Sequence, residues 1–321
     1  MVKLRNILVT GGAGFIGSEF VRQIAKLETF SKIIVYDKLT YAGNIERIKD
    51  ELLSKEIYFI HDDIVNINNH FEELRFVDQV VHFAAESHVD NSISSGKIFI
   101  ESNILGTYNL LEFFRKLNPN IRILIASTDE VYGSLSTGVA DESFKLSPSS
   151  PYSASKASAD LLALANIHTH NQNIVITRTC NNYGPFQDTE KFIPKTITNL
   201  ISNLPATIYG TGENIREWIH VTDNCEAINL ILQEGIPGEV YNIGTGFRLS
   251  NVEIVDFILE ELNLSGNLRV FVTDRLGHDF RYAIDSSKFK NQFKWNYKIE
   301  IKKGLSETIN WHLNRINQVK E

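Results

Sequence analysis

The stretch 6–27 limits the folds open to this chain more than any other. It reads NILVT, then GGAGFIG, then a run whose apolar residues recur at helical spacing. A short apolar run that stops at glycine suits a strand buried on both faces. Gly11, Gly14 and Gly17 fall as GxxGxxG between that strand and the helix. The first glycine permits a tight turn, the second lets backbone approach a pyrophosphate, and the third lets helix pack on strand. Free N–H groups of the first turn, where Phe15 and Ile16 stand, then face the phosphates. A glycine-rich turn with no ligand is the plainer reading. The flanking strand and helix supply the context that favours a dinucleotide.

The pattern continues. Apolar runs at 32–36, 57–61, 79–83, 121–126 and 174–178 read as further strands, and 98–117 and 152–169 as long helices. Strands alternating with helices imply βαβ units and a doubly wound parallel sheet of Rossmann type, an α/β fold. After residue 180 the loops lengthen and carry Pro, Asn and Gly, as in NNYGPFQ and YGTGENIREW. A smaller mixed C-terminal substrate domain is expected there. The expected division is 1–180 with about 217–243 for the dinucleotide-binding domain, and 181–216 with 244–321 for the substrate domain.

Composition narrows the partners. The chain has 321 residues, 43% hydrophobic and 22% charged, which suits a globular protein and not a disordered one. A net charge of −7 argues against a general grip on nucleic acid or an anionic membrane surface. The two cysteines, Cys180 and Cys225, have no metal-like spacing, and reduced thiols suit a cytoplasmic protein. No metal site is expected. The N-terminus lacks the apolar stretch of a signal peptide, and no uncharged run approaches a membrane span.

Asp37 ends the second strand, roughly 20 residues past the last glycine, where a carboxylate accepts hydrogen bonds from ribose hydroxyls. It would repel a 2′-phosphate, so NAD is expected over NADP. Lys38 follows at once and softens that preference. Asp63 and Ile64, after the third strand, are placed at the adenine; for Asp63 a plain N-cap role competes. Thr40, Ala84 and Ala85 complete the expected cofactor cleft.

Tyr152 and Lys156 lie one helical turn apart and share a face. A free tyrosine titrates at about 10. A nearby ammonium and a positive nicotinamide favour the phenolate, which can take a hydroxyl proton while hydride leaves the same carbon. A surface i,i+4 pair is the plainer reading. The fifth strand ends in Ser127-Thr128-Asp129-Glu130, at the carboxyl end where ligands bind in such sheets. Dehydrogenation alone needs one hydroxyl there. Elimination of water needs a base for a carbon-bound proton and an acid for the departing hydroxyl. Adjacent carboxyls can divide into one protonated and one ionised group. A helix N-cap with an acidic first turn competes with that reading.

At these residues the sequence resembles the extended, nucleotide-sugar branch of the short-chain dehydrogenase/reductase superfamily. More narrowly it resembles the dTDP-glucose 4,6-dehydratases. The matching segments are TGGAGFIGS, YDKLTYAGN, HFAAESHVD, STDEVYG, YSASKASAD, RTCNNYGPFQ and DRLGHDFRYAID. The resemblance implies that Thr128 and Tyr152 serve oxidation, that Asp129 protonates the leaving C6 hydroxyl and that Glu130 takes the C5 proton. Hydride returns to C6, so NAD stays tightly bound. It also implies substrate contacts at Ser87, His88, Asp90, Asn182, Arg216, Asn251, Arg275 and His278. The branch pairs its two long helices into a homodimer. Apolar Leu161, Leu162, Leu164 and Ile167 on more than one face of 152–169 agree with that.

Some residues depart from the pattern. Asn91 stands where many glucose-specific members carry Arg, Leu276 where Pro is usual, and REWIHV where an RDW-type run is common. These leave open a UDP-N-acetylglucosamine dehydratase (4,6- or 5,6-) and, further off, a UDP-sugar 4-epimerase. A non-catalytic NAD sensor would tend to lose the Tyr–Lys pair.

Overall fold

The computed structural model describes residues 4–54 and 57–320. The strands among them are β1 (Arg5–Thr10), β2 (Phe30–Asp37), β3 (Ile57–His61), β4 (Gln79–His82), β5 (Arg122–Thr128), β6 (Ile174–Thr179), β7 (Asn181–Tyr183), β8 (Ala206–Tyr209), β9 (Ile215–His220), β10 (Val240–Ile243), β11 (Arg248–Ser250) and β12 (Arg269–Val272). Seven form one sheet in the order β10-β6-β5-β4-β1-β2-β3, every neighbouring pair parallel. Strand order reverses between β1 and β4, the crevice where doubly wound sheets bind ligands. The expected Rossmann-type sheet is therefore present.

Side chains alternate across a strand, so successive residues sort to opposite faces. Ile7, Val9, Ile33, Val35, Leu124 and Val175 join Phe20 and Val21 of helix α1 (Phe15–Ile24) in one core. Leu8, Ile34, Tyr36, Val80, Ile123 and Ile176 join Leu110, Leu111 and Phe114 of α2 (Gly106–Leu117) in the other. Helix α3 (Pro151–His170) packs beside α2 and opens on a capping box of Ser150 and Ser153, with Pro151 in its first turn.

A third core surrounds α4 (Phe192–Ile201), with Trp218 of β9 among its members. Here β9 pairs parallel with β7 and antiparallel with β11, a mixed sheet, and β12 pairs parallel with β8. Of the stretch 217–243 expected to rejoin the large sheet, only β10 does so as a strand. Helix α5 (Val221–Glu234) packs on α1. Helices α6 (Asn251–Glu261) and α7 (Ile301–Lys320) complete this part.

One expected helix is not regular. Within 98–117, Ile100–Leu105 is π-helical and α2 starts at Gly106. Buried Asn103 lies in the widened turn. Its amide accepts from Glu86 N at 2.8 Å and donates to Glu86 O at 3.0 Å and Ser155 Oγ at 2.8 Å. These bonds tie the loop after β4 to α3, and π-turns commonly occur at functional sites.

Buried His82 bolts the sheet to α2. Thr107 Oγ1 donates to Asn103 O at 2.6 Å, so it accepts from His82 Nε2 at 3.0 Å. Nδ1 then accepts from Thr10 Oγ1 at 2.7 Å. The network assigns the neutral Nε2–H tautomer. Burial, and next the charge of Lys156, depress the imidazole to about 3. The unfolded chain takes up a proton near pH 6.5 that the folded chain refuses, so this contribution to stability is present above pH 6.5 and lost on acidification towards pH 3. His82→Gln should therefore flatten the dependence of unfolding free energy on pH between 6 and 4, by up to about 1.4 kcal/mol per pH unit. Urea melts of both proteins across that range test this; parallel slopes would contradict it.

Candidate active site

Two connected cavities occupy the carboxyl ends of the strands. The first, about 280 Å³, runs from Gly11, Gly14, Phe15, Ile16 and Gly17 past Asp37, Lys38, Thr40, Asp63, Ile64, Ala84 and Ala85 to Thr128, Asp129, Glu130, Tyr152 and Lys156. Every residue expected at the cofactor or in the chemistry lines it. The second, about 190 Å³, is lined by Ser87, His88, Asp90, Asn182, Arg216, Asn251, Arg275 and His278. Ser87, Glu130 and Asn182 line both.

The glycine turn fits a dinucleotide by what a Cβ would meet. At Gly17 it would lie 2.1 Å from Gly11 O, and at Gly11, where φ is +66°, 2.6 Å from Ala84 N. The close seating of α1 on β1 thus excludes side chains at both positions. No side chain caps the start of α1, so first-turn N–H groups face the cavity with the positive helix end. Asp37 accepts from Ala13 N at 3.0 Å through one oxygen and from Leu39 N at 2.8 Å through the other. Each oxygen keeps a lone pair for a ribose hydroxyl. Lys38 is not a free cation: its Nζ lies 3.3 Å from Asp63 and 3.7 Å from Glu86 and donates to Ser102 Oγ at 2.9 Å. Its softening of the NAD preference is correspondingly muted. Asp63 does cap the following 3-10 helix, accepting from Val65 N at 3.2 Å, while still lining the cavity.

At the reaction end, Thr128 caps the turn Asp129–Tyr132 by accepting from Glu130 N at 3.3 Å. The cap and the acid pair coexist. Asp129 is buried, and its Oδ2 has no hydrogen-bond partner among the described residues. Burial, then the charge of Glu130, pushes its carboxyl well above the ordinary range. Glu130 is also raised by burial, but the Arg216, Arg275 and Lys191 charges oppose the rise. The two carboxyls therefore divide, Asp129 keeping its proton more tenaciously.

Lys156 Nζ donates to Ala126 O at 2.7 Å, pinning α3 to β5, and burial lowers it to about 8. One turn on, Asp160 pairs with Arg178 at 2.9 Å, both buried, and its charge acts against that lowering. Of the two charges expected to favour a Tyr152 phenolate, that of Lys156 does not suffice by itself. Burial first, then the Glu130 charge, holds the phenol well above its ordinary value. An ammonium committed to a carbonyl does not offset two carboxyls in a dry site.

Around the second cavity, Arg216 is 5% exposed, so it is no surface charge. It donates to Ile215 O, Phe280 O and Asp279 O. Asp90 joins distant segments, meeting Arg275 Nη1 at 3.2 Å and Tyr209 OH at 3.2 Å. His88 caps a short helix by accepting from Asn91 N, His278 lies 2.6 Å from Asp274, and Asn182 donates to Cys180 O. Leu276, in the proline position, is 79% exposed.

Several lining residues escaped the sequence reading. Lys191 lines both cavities and donates to Ser87 O at 2.7 Å. Asp188 lines the first cavity and pairs with Arg47 at 2.6 Å, and Tyr282, lining the second, reaches Glu130. Nothing in their local sequence separates them from surface charges or core aromatics.

Residues 8–308 match the family model described as GDP-mannose 4,6 dehydratase. The chain belongs to this family. As a member, it is 43% identical over 312 residues to a dTDP-glucose 4,6-dehydratase of Actinoplanes sp., covering 95% of this chain and 97% of that protein. The crystal structure of DesIV, a dTDP-glucose 4,6-dehydratase of Streptomyces venezuelae with NAD and TYD bound, is 42% identical with a TM-score of 0.94 over 98% of each chain. A UDP-glucuronic acid 4-epimerase of Bacillus cereus, with UDP-glucuronic acid and NAD, reaches a TM-score of 0.91 at 26% identity, over 97% of this chain and 99% of that one. The family member's fold is thus shared with epimerases, and its chemistry must be argued from its side chains.

The glycine contact gives a direct test. Gly17→Ala should lower the NAD(H) released when the purified protein is denatured, and cost about 1–3 kcal/mol of stability through overpacking. Gly96→Ala, whose Cβ would meet only ordinary contacts from 3.6 Å outward, should change neither. Full NAD(H) content in Gly17→Ala would contradict the cradle.

Proposed function

We propose that this chain is an NAD-dependent nucleotide-diphosphate-hexose 4,6-dehydratase, a hydro-lyase that forms a 4-keto-6-deoxy sugar, with dTDP-glucose as its substrate. One observation carries the reading. Two adjacent carboxyls of unequal acidity, Asp129 and Glu130, stand with Tyr152 and Lys156 where a dinucleotide cradle opens into a second, cation-lined cavity. The names of full-length relatives supply the dTDP-glucose assignment.

Gly11, Gly14, Gly17 and Asp37 hold the cofactor. Bound NAD supplies the hydride acceptor and donor and, through its positive ring, the charge that offsets the carboxyls around Tyr152. Tyr152, with Thr128, takes the C4 hydroxyl proton, while Lys156 orients the ribose. The C4 ketone makes the C5 proton acidic, and Glu130 removes it. Asp129, kept protonated by burial and its neighbour, donates to the departing C6 hydroxyl. Arg216, Arg275 and Lys191 provide the positive lining that suits a diphosphate. Ser87, His88, Asp90 and Asn182 fall to the sugar side, Asn251 and His278 to the nucleoside. A 4-epimerase has no leaving hydroxyl to protonate, and the raised Asp129 would serve no purpose in one.

Two further readings belong here. The cofactor part comprises 1–180 with the return through α5 and β10, and the nucleotide-sugar part comprises the rest. The chain also forms a homodimer through exposed Ile100, Leu105, Tyr108 and Leu161 on the adjoining long helices. No helix among the described residues is long and apolar enough to cross a membrane. Both cysteines are buried and unbonded, which suits the reducing cytoplasm. Light scattering at micromolar protein should give twice the chain mass, and Leu161→Glu should halve it. A wild-type monomer would count against the dimer.

The acid pair gives the decisive kinetic test. Glu130→Gln should keep NAD and still oxidise dTDP-glucose, so reduced nicotinamide absorbance accumulates while 4-keto-6-deoxy product falls about 10²–10⁴-fold. Tyr152→Phe should slow oxidation itself and leave the cofactor oxidised. Near-normal dehydration by Glu130→Gln would return the chain to the epimerase–reductase pool.

A further inference from the structure

A second phenol stands at Glu130: Tyr282 lines the second cavity, Tyr152 the first, and Glu130 both. Tyr282 is buried, with its ring 4.3 Å under the Arg216 guanidinium carbon and its backbone N–H bonded to Ile215 O. Its hydroxyl is 2.7 Å from Asp279 Oδ2 and 3.4 Å from Glu130 Oε2. A phenol has one proton, and the shorter contact to a carboxylate claims it. Asp279 is held rigidly for that purpose. Its Oδ2 also accepts from Ser149 Oγ, and its carbonyl accepts from Arg216 and Asn214. With its proton turned to Asp279, the phenol oxygen presents a lone pair to Glu130.

We propose that Tyr282 is a positioning residue for the base: with its own proton committed to Asp279, it accepts a hydrogen bond from the proton that Glu130 takes from the substrate. The inference rests on Glu130 being that base. An ionised Glu130 gains nothing from the facing lone pair, whereas a protonated one gains a hydrogen bond. The arrangement therefore favours the protonated state and makes Glu130 a stronger base than its cationic neighbours alone would allow. Burial and the Glu130 charge hold the Tyr282 phenol well above its ordinary value, so it remains a hydroxyl throughout. The other groups bearing on Glu130 are Arg216, Arg275, Lys191 and Asp279, with Asp129 beside it in the chain and Tyr152 in the same cavity; the three cations favour its ionised form.

The test uses the NAD-loaded protein with dTDP-glucose. Tyr282→Phe should keep its NAD content and its rate of C4 oxidation. Its elimination step should slow about tenfold, the worth of one hydrogen bond, so reduced nicotinamide builds up during turnover. The acid limb of the elimination rate should move to lower pH by about one unit, because the neutral form of Glu130 loses its acceptor. Asp279→Asn, a weaker acceptor that lets the phenol proton swing to Glu130, should move the limb the same way. A merely structural role would lower the rate without moving the limb, and that result overturns the proposal, as does a shift to higher pH. Glu130→Gln run alongside separates the two levels. If it is crippled while Tyr282→Phe matches wild type, only this proposal fails. If it dehydrates normally, the base assignment fails and takes this proposal with it.

Discussion

Everything at this site hangs on how closely one helix is allowed to approach one strand. The missing Cβ of Gly17 lets α1 begin against Gly11 O, and the missing Cβ of Gly11 lets the end of β1 lie on the backbone of Ala84. Those contacts open the crevice between β1 and β4, on which the rest of the machinery is hung. From there positions propagate through hydrogen bonds that are all short-reach and mostly buried. Thr10 holds His82, His82 holds Thr107, and the same turn holds Asn103 against Glu86 and Ser155. Lys156 fastens the start of α3 to β5. The reactive end is therefore built on strand ends and helix starts and not on a free loop, which is what precise placement of several groups demands.

Burial does the chemical tuning. One dry environment raises Asp129, Glu130 and Tyr152 and lowers Lys156, because each neutral form is favoured away from water. What separates the carboxyls is their neighbours. Arg216, Arg275 and Lys191 oppose the rise of Glu130, with Asp279 adding to it, whereas Glu130 and Glu217 raise Asp129 further against Arg216. Acid and base thus differ by the company of their side chains, although they are consecutive in the chain.

The sequence carried the large sheet well, because short continuous apolar runs and the glycine turn are local signals. It carried Tyr152, Lys156 and the acid pair for the same reason: one helical turn and one dipeptide suffice to express them. Contacts between remote segments left no such trace. Tyr282 meets Glu130 across 152 positions, and Lys191 meets Ser87 across 104. The raised phenol of Tyr152 is not legible there, because burial and the charge of Glu130 are set by the fold and not by the spacing of Tyr and Lys. The smaller domain was expected to be mixed, but its individual strands were not read, since strands such as β7 and β11 have three residues each and too little period to read.

The π-helical stretch before α2 bears on how this chain can vary. A π-turn accommodates an extra residue relative to the α-helix around it. Deleting one residue between Ile100 and Leu105 would let the backbone revert to a regular helix, a locally comfortable outcome. The widened turn that seats Asn103 would close, and the side chains within it would take a new phase relative to α2. Asn103 would leave Glu86, and the loop after β4 would lose its anchor on α3. This segment therefore tolerates changes of side chain on its outer face far better than changes of length, and among descendants of such a gene its residue count should drift more slowly than its composition.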